Sequence, residues 1–85
     1  MQVKNKTILI TGAAGSIGSE LCRQLCEDNK VIALDNNETA LFELDRELDV
    51  TPFVADIRNE RRLESVFLLY NPQIVFQDRH HHHIF

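Results

Sequence analysis

The stretch Thr7-Ile8-Leu9-Ile10-Thr11-Gly12-Ala13-Ala14-Gly15-Ser16-Ile17-Gly18 decides the fold. Thr7–Ile10 is an apolar, β-branched run without polar alternation, which reads as a strand buried on both faces. It ends at Thr11-Gly12. Glycines then recur every third residue, at Gly12, Gly15 and Gly18. From Ile17 onward, Leu21, Leu25 and Cys26 follow at helical spacing, which predicts a helix running to about Asp28. A buried strand, a glycine-rich turn and a helix therefore succeed one another without a linker.

Beyond this unit the same alternation continues. Val31-Ile32-Ala33-Leu34 is a second apolar strand closed by Asp35. Asn36-Asn37-Glu38 has the composition of a helix start with asparagine as N-cap, and Leu41, Phe42, Leu44 and Leu48 fit the helix that follows. Thr51-Pro52-Phe53-Val54-Ala55 is a third strand ending at Asp56, and its proline places it at a sheet edge or at the strand's own start. Asn59–Tyr70 forms a third helix with Leu63, Val66, Phe67 and Tyr70 on one face, stopped by Asn71-Pro72. Ile74-Val75-Phe76 is a fourth strand. The order β-α-β-α-β-α-β implies an α/β fold with a parallel sheet and right-handed crossovers, expected in the strand order 3-2-1-4. We expect residues 1–76 to form this unit and residues 77–85 a separate, histidine-rich tail.

Composition bounds the function. The chain has 85 residues, 44% hydrophobic and 26% charged, which fits one small globular domain. Its net charge of −4 argues against nucleic acid as a partner, because phosphate backbones select basic faces. No apolar run has the length of a membrane helix and no signal-peptide pattern opens the chain. Two cysteines, Cys22 and Cys26, do not make a disulfide framework, so a cytoplasmic location is expected.

The glycines carry the chemistry. Gly12 allows the tight turn out of the strand, Gly15 leaves room for a pyrophosphate against the backbone, and Gly18 lets the helix lie close on the sheet. The helix N-terminus offers free N–H groups and partial positive charge to phosphates. Ala14, Ser16 and Ile17 complete the loop, with the Ser16 hydroxyl as a further donor. A glycine triplet gains weight when an acid ends the next strand. Asp35, followed by Asn36, fills that position. Its carboxylate suits the ribose hydroxyls of NAD and repels the 2′-phosphate of NADP. Asp56 and Ile57 end the third strand on the same edge. Two roles are open to Asp56: accepting from an adenine amino group, with Ile57 against the ring, or capping the helix near Asn59.

The spacing Gly12-x-x-Gly15-x-x-Gly18 resembles the extended short-chain dehydrogenase/reductase superfamily, which has a Rossmann fold. Within it, Ile10–Leu21, Leu34-Asp35-Asn36-Asn37-Glu38, Leu41-Phe42-Glu43-Leu44 and Ala55-Asp56-Ile57-Arg58 are similar to the polysaccharide-biosynthesis branch. The resemblance covers residues 7 to about 76. It implies a partial Rossmann fold, a nicotinamide cofactor, and the chemistry of nucleotide-sugar 4,6-dehydratases and epimerases, in which the nicotinamide takes a hydride from the sugar C4 and returns it. The family's Tyr-x-x-x-Lys motif has no counterpart here, since Tyr70 is followed four residues later by Ile74. No catalytic residue is therefore assigned, and the chain is expected to be inactive alone. Two other readings are a nucleotide-binding or regulatory module acting with a partner chain, and a non-functional truncated gene product.

Weaker features carry less. His80–His83 departs from the small residues the family has after its fourth strand. A terminal histidine run has no second shell to fix it, so we assign no metal site. Cys22 and Cys26 lie one turn apart, and at least one of them fits a small buried core role. Arg61-Arg62 reads as a solvated helix face. The free edge of the fourth strand invites self-association.

Overall fold

The computed structural model describes residues 3–77. The elements are β1 (Thr7–Thr11), α1 (Ser16–Leu25), β2 (Lys30–Asp35), α2 (Glu38–Glu47), β3 (Thr51–Val54), α3 (Glu60–Tyr70) and β4 (Ile74–Phe76). The four strands form one parallel sheet in the order β3-β2-β1-β4, as the alternation predicts. Ile8 stands opposite Val31 on one side and Ile74 on the other, and Leu34 stands opposite Phe53.

The unbroken apolar runs of β1 and β2 exist because both sheet faces are covered. Ile8, Ile10, Val31 and Ala33 pack on one face with Cys22 and Leu25 of α1 and with Leu41 and Leu44 of α2. Leu9, Ile32 and Leu34 point the other way, with Val66 of α3 and the flanking Phe53, Leu63 and Tyr70. The side chains of β1 from Ile8 to Ile10 are wholly excluded from solvent. Each contributes roughly 1.5–3 kcal/mol by leaving water.

Helix ends follow local hydrogen bonding. Asn37 caps α2 by accepting from the Ala40 N–H at 3.1 Å, and Asn59 caps α3 by accepting from the Arg62 N–H at 3.2 Å. α1 ends at Leu25 rather than near Asp28, because the Asn29 amide donates to the Leu25 carbonyl at 3.0 Å and ties it to Val3. α3 ends where Asn71 adopts a left-handed φ of 48°, just before Pro72. β3 is an edge strand, which tolerates the donor that Pro52 lacks.

Two aromatic placements differ from expectation. Phe42 and Phe67 are 47% and 39% exposed. Each helix turns only a narrow stripe to the sheet: Leu41 and Leu44 in α2, and Leu63, Val66 and Tyr70 in α3. Phe42 and Phe67 flank those stripes.

α1 lies very close to the end of β1 at Gly18. Gly12 has a φ of 65°, a conformation that glycine enters without strain. A Cβ placed on Gly18 would overlap the Gly12 carbonyl oxygen and lie 2.9 Å from the Ala13 Cα. Only backbone atoms stand in its way, so no side chain can swing aside. Gly18→Ala is expected to destabilise the chain by about 1–3 kcal/mol, the usual cost of overpacking, read as a lower urea midpoint.

Candidate functional site

Gly12, Gly15 and Asp35 come together at the carboxyl edge of the sheet. Thr11 stands opposite Leu34, so the chain leaves β1 as Gly12 beside Asp35 at the end of β2. The Ala13 N–H donates to the Leu34 carbonyl at 3.1 Å, which carries the β1–β2 ladder into the loop. The Gly15 N–H then donates to the Gly12 carbonyl at 3.0 Å and closes the turn. Gly15 itself, at φ −75° and ψ 173°, is in extended backbone open to any residue. Its missing side chain therefore serves access to the loop rather than its conformation.

α1 differs from the other two helices at its start. Gly15 is its N-cap, among the described residues no side chain caps its first turn, and no acidic residue lies in that turn. α2 and α3 each have an asparagine cap and a glutamate in the first turn, Glu38 and Glu60. The positive end of the α1 dipole and its first N–H groups are thus left uncompensated by side chains beside the glycine loop. Ser16 and Ile17 are exposed there.

Asp35 is half-buried and doubly held. Its Oδ2 accepts from the Ala14 N–H at 2.9 Å and its Oδ1 from the Asn37 N–H at 2.9 Å. Asn36 between them is exposed. Asp56 lies on the neighbouring strand end, since the Ala55 N–H donates to the Asp35 carbonyl at 3.0 Å.

Of the two roles open to Asp56, capping of α3 falls to Asn59 instead. Asp56 accepts from the Arg58 backbone N–H at 2.9 Å and pairs with the Arg58 guanidinium at 2.7 Å. That hydrogen bond raises the Arg58 pKa further. Ile57 packs partly on the Leu9–Leu34 face, so only part of it is open to the site.

Arg58 is a partner of Asp56 beyond the two roles expected, and the Asp-x-Arg spacing is the local signal for it. Arg61 and Arg62 are both exposed, as expected of a solvated helix face, and Arg62 also reaches a neighbouring strand. Its guanidinium donates to the Val54 carbonyl at 2.7 Å and lies 4.4 Å from the Phe53 ring centroid. Phe53 in turn meets Tyr70 edge to face at 6.4 Å. Nothing local in the sequence announces a contact between α3 and β3.

An open groove of about 680 Å³ lies at the opposite, amino-terminal edge of the sheet, lined among others by Lys6, Asp28, Lys30 and Asp49. Ligands of open parallel sheets bind at the carboxyl edge, and the glycine loop is there, so the groove is not assigned to the site. Among the described residues no group of three metal-ligating side chains exists. The histidine run lies outside the described residues.

A parallel sheet with a glycine loop, an open helix start and an acid ending the next strand defines a Rossmann-type unit of the short-chain dehydrogenase/reductase class. The model of the polysaccharide biosynthesis protein family matches residues 8–84, and the chain belongs to that family. The capsular polysaccharide biosynthesis protein CapD of Staphylococcus aureus is 37% identical over 98% of this chain. A UDP-N-acetylglucosamine 4-epimerase from Methanobrevibacter ruminantium, solved with UDP-N-acetylmuramic acid, superposes with a TM-score of 0.72 at 28% identity over 89% of this chain. An NAD+-bound xylitol dehydrogenase superposes with a TM-score of 0.65 at 25% identity over 91% of this chain. The chain spans 16% of the Staphylococcus protein, 24% of the epimerase and 33% of the dehydrogenase. Among the described residues no helix is long and apolar enough to cross a membrane.

The two thiols of α1 differ. Cys22 is buried, and burial pushes its thiol up to about 12. Cys26 is half-buried. Because the folded pKa of Cys22 exceeds its unfolded value, this group supports folding at neutral pH and the support is lost as pH rises from about 9 towards 12. Alkylation at pH 8 is expected to modify Cys26 well before Cys22, with both thiols reacting together only in denaturant.

Proposed function

We propose that this chain is the NAD-binding segment of a nucleotide-sugar dehydratase or epimerase of polysaccharide biosynthesis. The observation that carries the reading is the pairing of the open α1 N-terminus with the fixed Asp35 carboxylate at one sheet edge. In this reading, the backbone from Gly12 through Ala14, Gly15, Ser16 and Ile17 to Gly18 receives the pyrophosphate. Asp35 and Asn36 take the adenosine ribose, and Asp56 with Ile57 borders the adenine. A carboxylate at the ribose favours a free 2′-hydroxyl over a 2′-phosphate, which selects NAD over NADP.

When bound, a nicotinamide supplies hydride transfer to and from a sugar carbon. The residues of this chain bind and orient it. The Tyr-x-x-x-Lys motif through which the class moves protons is not among these 85 residues. The two free thiols support a reducing, cytoplasmic setting.

The reading includes self-association through β4. Among the described strands β4 pairs with β1 alone, Val75 is 44% exposed, and Leu68 and Leu69 of α3 are 81% and 67% exposed. A strand edge without a partner among the described strands, on a chain with exposed leucines, favours strand addition by a second copy.

Isothermal titration with NAD, NADP and ADP tests the cofactor assignment. Saturable NAD binding, tighter than NADP and weakened about tenfold or more in Asp35→Ala, is the expected result. A folded chain that takes up no NAD at millimolar concentration rejects it. Light scattering is expected to give at least twice the 9.8 kDa chain mass. A clean monomer at high concentration would rule out association through the edge.

A further inference from the structure

We propose that Asp35 is a positioning residue that sets the glycine loop before any ligand arrives. Its two carboxylate oxygens each receive a backbone N–H at 2.9 Å, Oδ2 from Ala14 within the loop and Oδ1 from Asn37 at the start of α2. The side chain therefore ties the loop after β1 to the loop after β2. Ala14 sits between Gly12, in its left-handed turn, and Gly15, the N-cap of α1. Neighbouring N–H groups have backbone partners: Ala13 donates to Leu34 at 3.1 Å and Gly15 to Gly12 at 3.0 Å. The Ala14 N–H is the member of this run that a side chain must satisfy, and a half-buried N–H left without an acceptor is costly.

The requirement is for a carboxylate specifically. Two converging N–H donors need two acceptors, and a carboxylate is acceptor-only on both oxygens. An asparagine in its place offers one carbonyl oxygen and one NH₂ group, so one backbone donor would face another donor. Bonds from N–H to an ionised acceptor are also the stronger kind.

This placement deepens the cofactor reading above and, for its consequence on specificity, rests on it. An aspartate held by two backbone donors cannot rotate aside to admit a 2′-phosphate without releasing the Ala14 and Asn37 N–H groups. Asp35→Asn removes the negative charge yet also loosens the loop. It is therefore expected to lose NAD affinity without gaining NADP affinity. A residue that acted by charge alone would show a gain for NADP.

The deciding experiment is amide hydrogen exchange on the unliganded chain, read at Ala14 in the wild type, Asp35→Asn and Asp35→Ala. The Ala14 amide is expected to exchange about tenfold or more faster in both variants, while the β1 and β2 core amides stay protected and report an intact fold. Equal Ala14 exchange in wild type and variants overturns the proposal. Should both variants unfold, the unmodified chain still decides. A through-hydrogen-bond scalar coupling between the Ala14 amide nitrogen and the Asp35 carboxyl carbon is expected, and its absence overturns the proposal. No cofactor enters either measurement, so a failed NAD titration and a failed loop proposal remain separate results.

Discussion

The rest of the structure depends on a contact between backbones. Gly18, on the first turn of α1, lies so near the Gly12 carbonyl that a single methyl group would not fit. This closeness sets the angle at which α1 leaves the sheet. It thereby places Cys22 and Leu25 over Ile8 and Ile10 and closes one half of the core. The same closeness puts the start of α1 at the carboxyl edge, level with the ends of β1 and β2. Packing and site geometry are two results of one spacing of glycines. A change that relieved the crowding would also move the helix start away from Asp35.

The edge so formed is electrostatically uneven. α2 and α3 have asparagine caps and first-turn glutamates, which offset the positive ends of their dipoles locally. α1 has neither. Asp35, which contacts the loop before α1, is committed to backbone N–H groups of both adjoining loops. Positive potential from α1 and negative charge from Asp35 are thus held side by side, each fixed by backbone rather than by mobile side chains.

Much of this was legible in the residues, and the exceptions share a cause. The strands, their order and the glycine turn follow from apolar runs and local spacing, because both faces of β1 and β2 are buried and their sequences cannot alternate. Asn37 was readable as a cap, since capping needs only a residue three positions on. The end of α1 was not, because it depends on Asn29 reaching back to Leu25 and across to Val3. Phe42 and Phe67 fit helical periodicity yet flank the buried stripe, since periodicity gives a face but not its width. Arg62 is exposed as its helix position implies, but its contacts with Phe53 and the Val54 carbonyl are not legible locally, since both sit on another element. At Asp56 the local options were visible, but Asn59 took the cap and Arg58 took the carboxylate.

Pro52 gives the sheet a direction. It sits in the outer strand β3, in register with Ala33, and has no N–H to offer on the outward side. An extra strand approaching from that side would find a donor missing in the middle of a four-residue strand. At the other margin β4 carries no proline: the Gln73 N–H donates to the Thr7 carbonyl at 2.8 Å, so by alternation Val75 faces β1 while Ile74 and Phe76 direct their donors outward. Among the described residues the two margins of the sheet therefore differ: the outward row of β3 lacks a donor at its second position, and that of β4 is complete.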